Sequence, residues 1–167
     1  EDNAAALIYG DVELRIEAVK RSCQIKAKIV ENDEREQGER ALLNLGHTFC
    51  HALEGVTNFS DALLHGEGVS IGCSLAFDVS AKLGLCSQEV PSRVREHFKS
   101  INVATDISQI NGFVGTAEHI YELMAQDKKV VKGVIRFILA TDIGKAIVQE
   151  NVSKSLILEV LQNSLER

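Results

Sequence analysis

Residues 40–54 read RALLNLGHTFCHALE. A helix turns by about 100° per residue, so this stretch has an apolar side and a polar side. The apolar side comprises Leu42, Leu45, Phe49, Ala52 and Leu53, and the polar side, within about 80° of arc, comprises Arg40, Asn44, His47, His51 and Glu54. We therefore predict one amphipathic helix that begins between Gln37 and Glu39 and runs past Leu53.

The polar side of this helix has an uncommon composition. A polar helix face is most often only solvated, and solvated faces are rich in Lys and Glu. This face instead combines Arg, Asn and two His, and Asn and His are mediocre helix formers. Such groups offer anion binding and metal ligation. The residues alone leave both interpretations open, a solvated face and a functional one.

Two histidines of this face, His47 and His51, have the spacing that places two imidazoles on one metal ion in zinc sites of the HExxH type. Thr48 stands where that motif has its glutamate, so a zinc protease is disfavoured. The pair equally suits contact with an anionic substrate. His65 is a further candidate, because the turn-rich connection at residues 57–61 would bring it back over the polar face. Spacing does not choose among the three histidines.

A second helical pattern spans residues 11–30 and ends near Asn32. Its apolar residues recur at three- and four-residue steps and predict one buried stripe, made of Val12, Ile16, Val19, Cys23, Ala27 and Val30. Lys26 lies at the edge of that stripe. A partly buried lysine needs an anionic partner, unless its stem packs on the core while its ammonium reaches water. Both alternatives remain open for Lys26.

The rest of the chain reads as four helices and a hairpin, placed by end signals and periodicity. These are a helix over 66–83 ended by Gly84, one with Pro91 at its first position, one capped by Thr116 and running to about Asp127, a hairpin of 134–139 and 145–149, and a final helix from Ser153 to about Leu165. The sequence therefore predicts a mainly α fold, a multihelical domain with one small β-hairpin.

The composition indicates a single soluble globular domain of 167 residues, 45% of them hydrophobic and 25% charged. The net charge of −6, with basic residues interspersed among acidic ones, argues against a nucleic-acid partner. No apolar run approaches the roughly 20 residues of a membrane span, and residues 1–10 do not resemble a signal peptide, so we expect a cytoplasmic protein without a membrane partner. The four cysteines are widely spaced, which predicts reduced thiols.

A long pattern within the chain resembles the signature of 3-dehydroquinate synthases. It comprises residues 33–54, DEREQGERALLNLGHTFCHALE, followed by residues 64–67, LHGE. Flanking segments are similar to the family as well, at residues 26–30, 127–130, 135–139 and 143–145. The similarity spans nearly the whole chain, and it implies the fold of that family's C-terminal domain.

The resemblance assigns roles to residues on and around the helix. It implies that His47 and His65 are zinc ligands, and that Lys26 and Arg40 hold the substrate carboxylate. It implies that His51 is a substrate contact rather than a second ligand from the same helix.

Two further positions would also face the substrate. Asn44, with His51, would lie chiefly at its phosphate end. One lysine of the pair Lys128 and Lys129 would reach the phosphonyl region, and we favour Lys128. Cys50 stands where the family commonly has glycine, and we expect a small buried side chain there rather than a zinc thiolate.

The family converts the sugar phosphate 3-deoxy-D-arabino-heptulosonate 7-phosphate to 3-dehydroquinate and phosphate, in the shikimate route to aromatic amino acids. The resemblance implies a metal-dependent lyase that uses zinc or cobalt together with NAD. Two other functions compete with this one: that of a related sugar-phosphate cyclase and that of a non-catalytic helical module. Arg40 and Lys26, as carboxylate holders, favour the dehydroquinate reaction over that of a related cyclase.

The family's N-terminal NAD-binding domain has no counterpart in this sequence, which contains no Gly-rich strand-to-helix turn. In the family that domain supplies the NAD contacts, and a glutamate just after it is the third zinc ligand. Nothing upstream of Lys26 resembles the surroundings of that glutamate. We therefore expect this chain to be one part of a longer enzyme, homodimeric when complete. The 167 residues alone are expected to be inactive and to hold zinc weakly.

Overall fold

The computed structural model describes residues 1–35, 38–126 and 135–167. Its elements in chain order are α1 (Ala4–Ile8), α2 (Val12–Asn32), a 3-10 helix (Glu39–Asn44), α3 (His47–Val56), α4 (His65–Lys82), α5 (Glu89–Ser100), a short 3-10 turn (Ile107–Gln109), α6 (Ala117–Gln126), strands β1 (Phe137–Asp142) and β2 (Lys145–Gln149), and α7 (Lys154–Glu166). The predicted multihelical fold with one small hairpin is confirmed.

Helix α4 forms the centre of the molecule, with α3, α5, α7 and β1 packed around it. Its small residues allow these neighbours to come close, and several of them, such as Gly68, Gly72 and Ser74, are buried. The apolar core between these helices contains Phe49 and Leu53 of α3, which are 1% and 0% exposed. The predicted central helix and the predicted burial of the α3 apolar side are therefore both confirmed.

The prediction of one continuous helix from residues 37–39 past Leu53 is wrong. The chain forms a 3-10 helix, turns at Leu45 and Gly46, and begins α3 at His47. Gly46 has φ +79°, a left-handed conformation that cannot continue a right-handed helix. A Cβ at Gly46 would also lie 2.4 Å from the backbone nitrogen of Cys73, so the break depends on glycine.

This break changes the composition of the polar face. His47, His51 and Glu54 lie on α3 and share one of its sides, as calculated from the sequence. Arg40 and Asn44 lie on the 3-10 helix, so their calculated angles relative to the histidines do not hold. The histidines and the two other polar residues belong to successive elements that meet at Gly46.

The predicted burial of the α2 stripe is also wrong. No residue of α2, which the structure describes in full, is buried. Val12, Ile16 and Val19 are 65%, 56% and 63% exposed. Within the described parts of the chain, α2 packs mainly on α1 and the 3-10 helix, so nothing there covers the stripe. Lys26 is accordingly exposed rather than partly buried.

The remaining elements follow the sequence closely. Thr116 Oγ1 accepts a hydrogen bond from His119 N at 3.2 Å, so the predicted Thr116 cap is confirmed. Ser153 Oγ accepts one from Leu156 N at 3.3 Å and caps α7, at the residue where the final helix was predicted to start. Gly84 follows α4 with φ +72°, as a C-terminal glycine does. Pro91 is the third residue of α5 rather than the first. Helix α1 is an element that the sequence did not predict.

The hairpin pairs β1 and β2 antiparallel, with Phe137 opposite Gln149. Phe137 to Ala140 are buried against α4, and Ala140 N donates to Ser80 Oγ of α4 at 2.9 Å. The predicted first strand included Val134, which lies outside the described residues, as does Asp127, the predicted end of α6. Across the described ranges, none of the helices combines the length and apolar character that a membrane crossing needs.

An ion-pair network joins α4, α5, the 106–109 turn and the end of α7. Asp78 and Asp106 both contact Arg95 and Arg167, with Arg167 at 3.1 Å from Asp78 and 3.0 Å from Asp106. Asp106 is 3% exposed and also accepts a hydrogen bond from Ser164 Oγ at 3.3 Å. The network fixes the far end of α4 and leaves its N-terminal end, with His65, at the site described next.

Candidate metal and substrate site

Three imidazoles meet where α3 and α4 begin. His47 is the first residue of α3, His51 lies one turn later, and His65 is the first residue of α4. The ring centroid of His47 is 5.7 Å from that of His51 and 5.7 Å from that of His65. Two imidazoles bound to one tetrahedral zinc have centroids about 5 Å apart, given Zn–N bonds of about 2 Å. Either pair therefore approaches the spacing that a shared metal requires.

The connection between α3 and α4 returns His65 to this point. Asn58 and Phe59 have φ of 52° and 54°, and these two left-handed residues reverse the chain after α3. The first turn of α4 is then held by Glu67, whose carboxylate accepts a hydrogen bond from Leu64 N at 3.0 Å. His65 consequently lies over the polar side of α3, the position expected from the turn-rich sequence.

The Nδ1 atoms of two of these histidines contact oxygen atoms. His47 Nδ1 is 3.3 Å from the carbonyl oxygen of Leu45, and His65 Nδ1 is 2.8 Å from Oε1 of Glu54. In the tautomer that donates from Nδ1, each ring keeps its lone pair on Nε2, the arrangement common in metal-binding histidines. The chemistry of this pair therefore fits a metal site.

Glu54 is a site residue to which the sequence assigned no role. Its side chain is 14% exposed, whereas that of its partner His65 is 59% exposed. The helical pattern places Glu54 on the same side of α3 as His47 and His51, and this shared side is the feature of the sequence that could have identified Glu54 as a site residue. Its partner was not evident, because His65 reaches it only through the fold of the connection.

Cys50 fills the space between α3 and α4, and the expected burial of this side chain is confirmed. It is 0% exposed, and a Cβ at Gly68 would lie 2.8 Å from its sulfur. Burial, with a smaller effect of the Glu54 charge, raises the pKa of the Cys50 thiol to about 12. The protonated thiol suits a packing role. Even so, Cys50, Glu54 and His65 each offer an atom that could bind a metal ion, and these three atoms all lie within 4.8 Å of one another.

Arg40 and Asn44 lie on the 3-10 helix that leads into α3, and both are half-buried. Arg40 donates from Nη1 to the carbonyl oxygen of Glu34 at 2.6 Å, and Asn44 donates from Nδ2 to that of Ala41 at 3.2 Å. Asp33 fixes the start of this helix, because its Oδ2 accepts hydrogen bonds from the backbone nitrogens of Gly38 and Arg40 at 2.8 and 3.0 Å.

Lys26 and Lys128 complete the predicted set. Lys26 lies on α2 about one turn before Ile29, a residue that lines a groove together with Glu39 of the 3-10 helix. Lys26 and Arg40 are thus on adjoining elements. Lys128 and Lys129 lie outside the described residues.

A mostly apolar cavity of about 350 Å³ opens beside His51. His51 and Thr48 of α3, Phe59 of the connection and Gln126 at the end of α6 contribute to its walls. Phe59 is 78% exposed. The imidazole of His51 thus faces a space on the side of α3 toward α6, while His47 and His65 face each other at the start of the two helices.

Comparison with known proteins gives a consistent family. The family model described as 3-dehydroquinate synthase C-terminal matches residues 1–130. The chain is 62% identical to the 3-dehydroquinate synthase of a Ruegeria species and 59% identical to that of Ruegeria pomeroyi, over 165 residues in each case. These matches cover 99% of the chain but 44% and 45% of the two relatives. The chain thus spans less than half of their length.

Solved structures share the fold at lower identity. The 2-epi-5-epi-valiolone synthase ValA from Streptomyces hygroscopicus, with NAD+ and Zn2+ bound, has a TM-score of 0.73 at 21% identity, over 90% of this chain and 40% of that one. A 2-deoxy-scyllo-inosose synthase, complexed with carbaglucose-6-phosphate, NAD+ and Co2+, has a TM-score of 0.65 at 21% identity, over 78% and 36% of the two chains. These likenesses show that the multihelical fold is shared.

Proposed function

This chain belongs to the 3-dehydroquinate synthase C-terminal family, and from that premise we propose that it forms the metal- and substrate-binding domain of a 3-dehydroquinate synthase. The complete enzyme would convert 3-deoxy-D-arabino-heptulosonate 7-phosphate to 3-dehydroquinate and phosphate. The observation that carries the proposal is the meeting of His47, His51 and His65 at the start of α3 and α4. A solvated helix face would not require this convergence.

His47 and His65 are the proposed metal ligands, for zinc or cobalt. Their ring separation of 5.7 Å and the oxygen contacts of both Nδ1 atoms support this choice. His51 lies at the same distance from His47, so distance does not exclude it. Its position on the wall of the cavity supports the role of substrate contact instead. The third metal ligand would be a glutamate just after the NAD-binding domain, in the part of the enzyme that this chain does not include.

We assign the carboxylate of the substrate to Lys26 and Arg40, and the phosphate end of the substrate chiefly to Asn44 and His51. Lys128 is also assigned to the phosphonyl region. A guanidinium binds a carboxylate through two parallel hydrogen bonds, which fixes orientation as well as position. Arg40 and Asn44 support this assignment by lying on the segment that runs directly into His47. Lys26 and Arg40 would thus hold the carboxylate end of the substrate, while Asn44 and His51 face its phosphate end.

These residues would contribute to the reaction mainly by orienting the substrate. When bound, NAD and the metal would supply a transient hydride acceptor and polarisation of a substrate oxygen. Lys26 and Arg40 would prevent rotation of the substrate about its carboxylate end. His51 would hold a position from which a proton can be taken up or released near the phosphate. Fixing one conformer in this way is a large part of the acceleration of intramolecular ring closure.

The proposed partner is the N-terminal NAD-binding domain of the same enzyme. The uncovered apolar stripe of α2 supports it, because Val12, Ile16 and Val19 would be costly to leave in water on a complete enzyme. The relatives are more than twice as long as this chain, and the additional length is sufficient for such a domain. Homodimer formation and a cytoplasmic location are part of the same proposal, and the 167 residues alone are expected to be inactive.

A related sugar-phosphate cyclase is the second candidate, since two such enzymes share the fold. The identities of 59–62% to 3-dehydroquinate synthases, against 21% to those cyclases, favour the first. Arg40 and Lys26 favour it too, because they suit a carboxylate-bearing substrate. A non-catalytic helical module would not need the paired Nδ1 contacts.

Phosphate release from 3-deoxy-D-arabino-heptulosonate 7-phosphate by the complete enzyme tests the proposal. Replacing Arg40→Ala is expected to lower kcat/KM by about 10- to 100-fold, the effect of losing a charged hydrogen bond worth about 1.5–3 kcal/mol. The matched control is Arg21→Ala, which removes an exposed arginine from α2. Equal rates for the two variants, or no phosphate release by the unaltered enzyme, would contradict the proposal.

A further inference from the structure

We infer that Glu54 is the positioning residue of His65, and the inference rests on the proposed metal site. Its carboxylate accepts a hydrogen bond from His65 Nδ1–H and thereby directs Nε2 of that ring to the metal. The pair joins residues eleven positions apart, one on α3 and one on α4, with 2.8 Å between Oε1 and Nδ1.

The two partners differ in how firmly the fold holds them. Glu54 lies within α3, directly after Leu53, which is 0% exposed, and its own side chain is 14% exposed. His65 is the first residue of α4, and its side chain is 59% exposed. An exposed imidazole at a helix start samples several rotamers in the absence of a partner. The fixed carboxylate therefore selects one orientation of the mobile ring.

The contact also selects a tautomer. A carboxylate only accepts hydrogen bonds, so a neutral His65 must carry its proton on Nδ1 to satisfy Glu54. Nε2 is then left with a lone pair, which is the form that binds a metal ion. His47 obtains the same tautomer from the carbonyl oxygen of Leu45, 3.3 Å from its Nδ1. The metal-binding tautomer of both proposed ligands is thus favoured by oxygen atoms of the same short segment, residues 45–54.

Direct metal ligation by Glu54 is the competing possibility, because its carboxylate lies with Cys50 and His65 in one cluster. The observed contact favours positioning. Oε1 of Glu54 lies 2.8 Å from Nδ1, which is hydrogen-bonding distance and shorter than the roughly 3.3 Å between two ligand atoms of one tetrahedral zinc with bonds of about 2 Å. A carboxylate that holds the far nitrogen of a ligating histidine typically changes metal affinity by about 10- to 100-fold.

The test is a Co2+ titration of the complete enzyme, followed by the visible absorption of the bound ion. Four variants are compared with the unaltered protein: Glu54→Ala, Glu54→Gln, His65→Ala and the control Asp61→Asn, which removes one exposed carboxylate from the α3–α4 connection. Thermal unfolding is measured for each, and Glu54→Gln keeps the size of the side chain in case Glu54→Ala does not fold. Ring-nitrogen NMR of His65 reports its tautomer.

Glu54→Ala is expected to weaken Co2+ binding by about 10- to 100-fold with an unchanged absorption spectrum. Glu54→Gln is expected to restore part of the affinity, because its amide oxygen still accepts from Nδ1–H, and Asp61→Asn should bind as the unaltered enzyme does. In the unaltered protein the His65 proton should be on Nδ1.

Two results would overturn the inference while leaving the metal site intact. One is unaltered affinity in both Glu54 variants. The other is a changed absorption spectrum with equal loss in Glu54→Ala and Glu54→Gln, which would make Glu54 a ligand. A different result, unaltered affinity in His65→Ala, would overturn the proposed metal site itself and the inference with it.

Discussion

The backbone of Gly72 on α4 lies directly against the backbone of Gly46, just before α3. A Cβ at Gly72 would stand 2.2 Å from the carbonyl oxygen of Gly46 and 3.2 Å from the nitrogen of Cys50. The obstructing atoms are backbone, which cannot move aside as a side-chain end can. This contact sets how closely α3 approaches α4, and therefore where His47 stands relative to His65.

Gly72→Ala is accordingly expected to destabilise the fold by about 1–3 kcal/mol, the usual cost of overpacking a tight contact. Urea unfolding of the chain measures the effect. Gly66→Ala is the matched control on the same helix, because no atom lies within 4 Å of the Cβ position there. The control should be neutral or slightly stabilising, since Ala is the better helix former. Equal stabilities of the two variants would contradict the tight contact.

Asp106 should make the fold sensitive to acid. Burial by itself raises the pKa of Asp106, but the Thr105 hydroxyl, Arg95 and Arg167 outweigh it, and the net pKa lies below the usual value. A carboxyl with a lowered folded pKa stabilises the fold above its unfolded pKa of about 3.9. That stabilisation is lost as the pH falls further, through the folded pKa.

Unfolding in urea between pH 7 and pH 3 measures this dependence. Asp106→Asn is expected to cost about 3–5 kcal/mol at pH 7, because it breaks a buried ion pair, and to flatten the stability profile below about pH 4. Glu17→Gln, which removes an exposed carboxylate paired with Arg21, should leave both nearly unchanged. An Asp106→Asn profile as steep as that of the unaltered chain would show that another group governs acid unfolding.

The stripe on α2 should matter only when a partner covers it. Ile16→Ser is expected to change the unfolding free energy of the 167-residue chain very little, because Ile16 is 56% exposed. In the complete enzyme the same change should lower stability by about 1–3 kcal/mol, the value of burying such a side chain. Leu53→Ala, in the core, should cost about 2–5 kcal/mol in both forms. An equally small effect of Ile16→Ser in both forms would argue that the stripe stays uncovered.

The cysteines should differ in reactivity toward thiol reagents at pH 8. All four are free, and Cys23 is exposed whereas Cys50 is 0% exposed. With a pKa raised to about 12, Cys50 has almost no thiolate at that pH. Cys23 is therefore expected to react in the folded chain and Cys50 only after unfolding in urea. Mass spectrometry of the labelled peptides identifies each site, and rapid labelling of Cys50 in the folded chain would contradict its burial.

The sequence was sufficient for most elements of the fold. The Thr116 cap, the helix start at Ser153 and the helical pattern of residues 66–83 are local signals, which depend on neighbouring residues in the sequence. The break at Gly46 was missed, because a single glycine is tolerated in a helical pattern. What imposes the break is the contact with Gly72 and Cys73, which belongs to the tertiary structure.

The same distinction explains the other differences. The period of α2 correctly indicates an apolar stripe, but a pattern does not say which surface covers it, and in the described parts of this chain none does. The contact of Glu54 with His65 depends on the left-handed residues Asn58 and Phe59, whose conformation the sequence did not reveal. The roles of Lys26, Arg40 and the other site residues remain predictions that mutation must test.

Metal retention by the complete enzyme is the sharpest test of His47 and His65 as zinc ligands. Zinc per chain is measured after exhaustive dialysis for the unaltered enzyme and for His47→Ala, His65→Ala and the control His97→Ala, a histidine on α5 away from the site. We expect about one zinc per chain in the unaltered enzyme and the control, and loss of the ion in the other two, because each removes one of three ligands. Full retention of zinc by both His47→Ala and His65→Ala would contradict it.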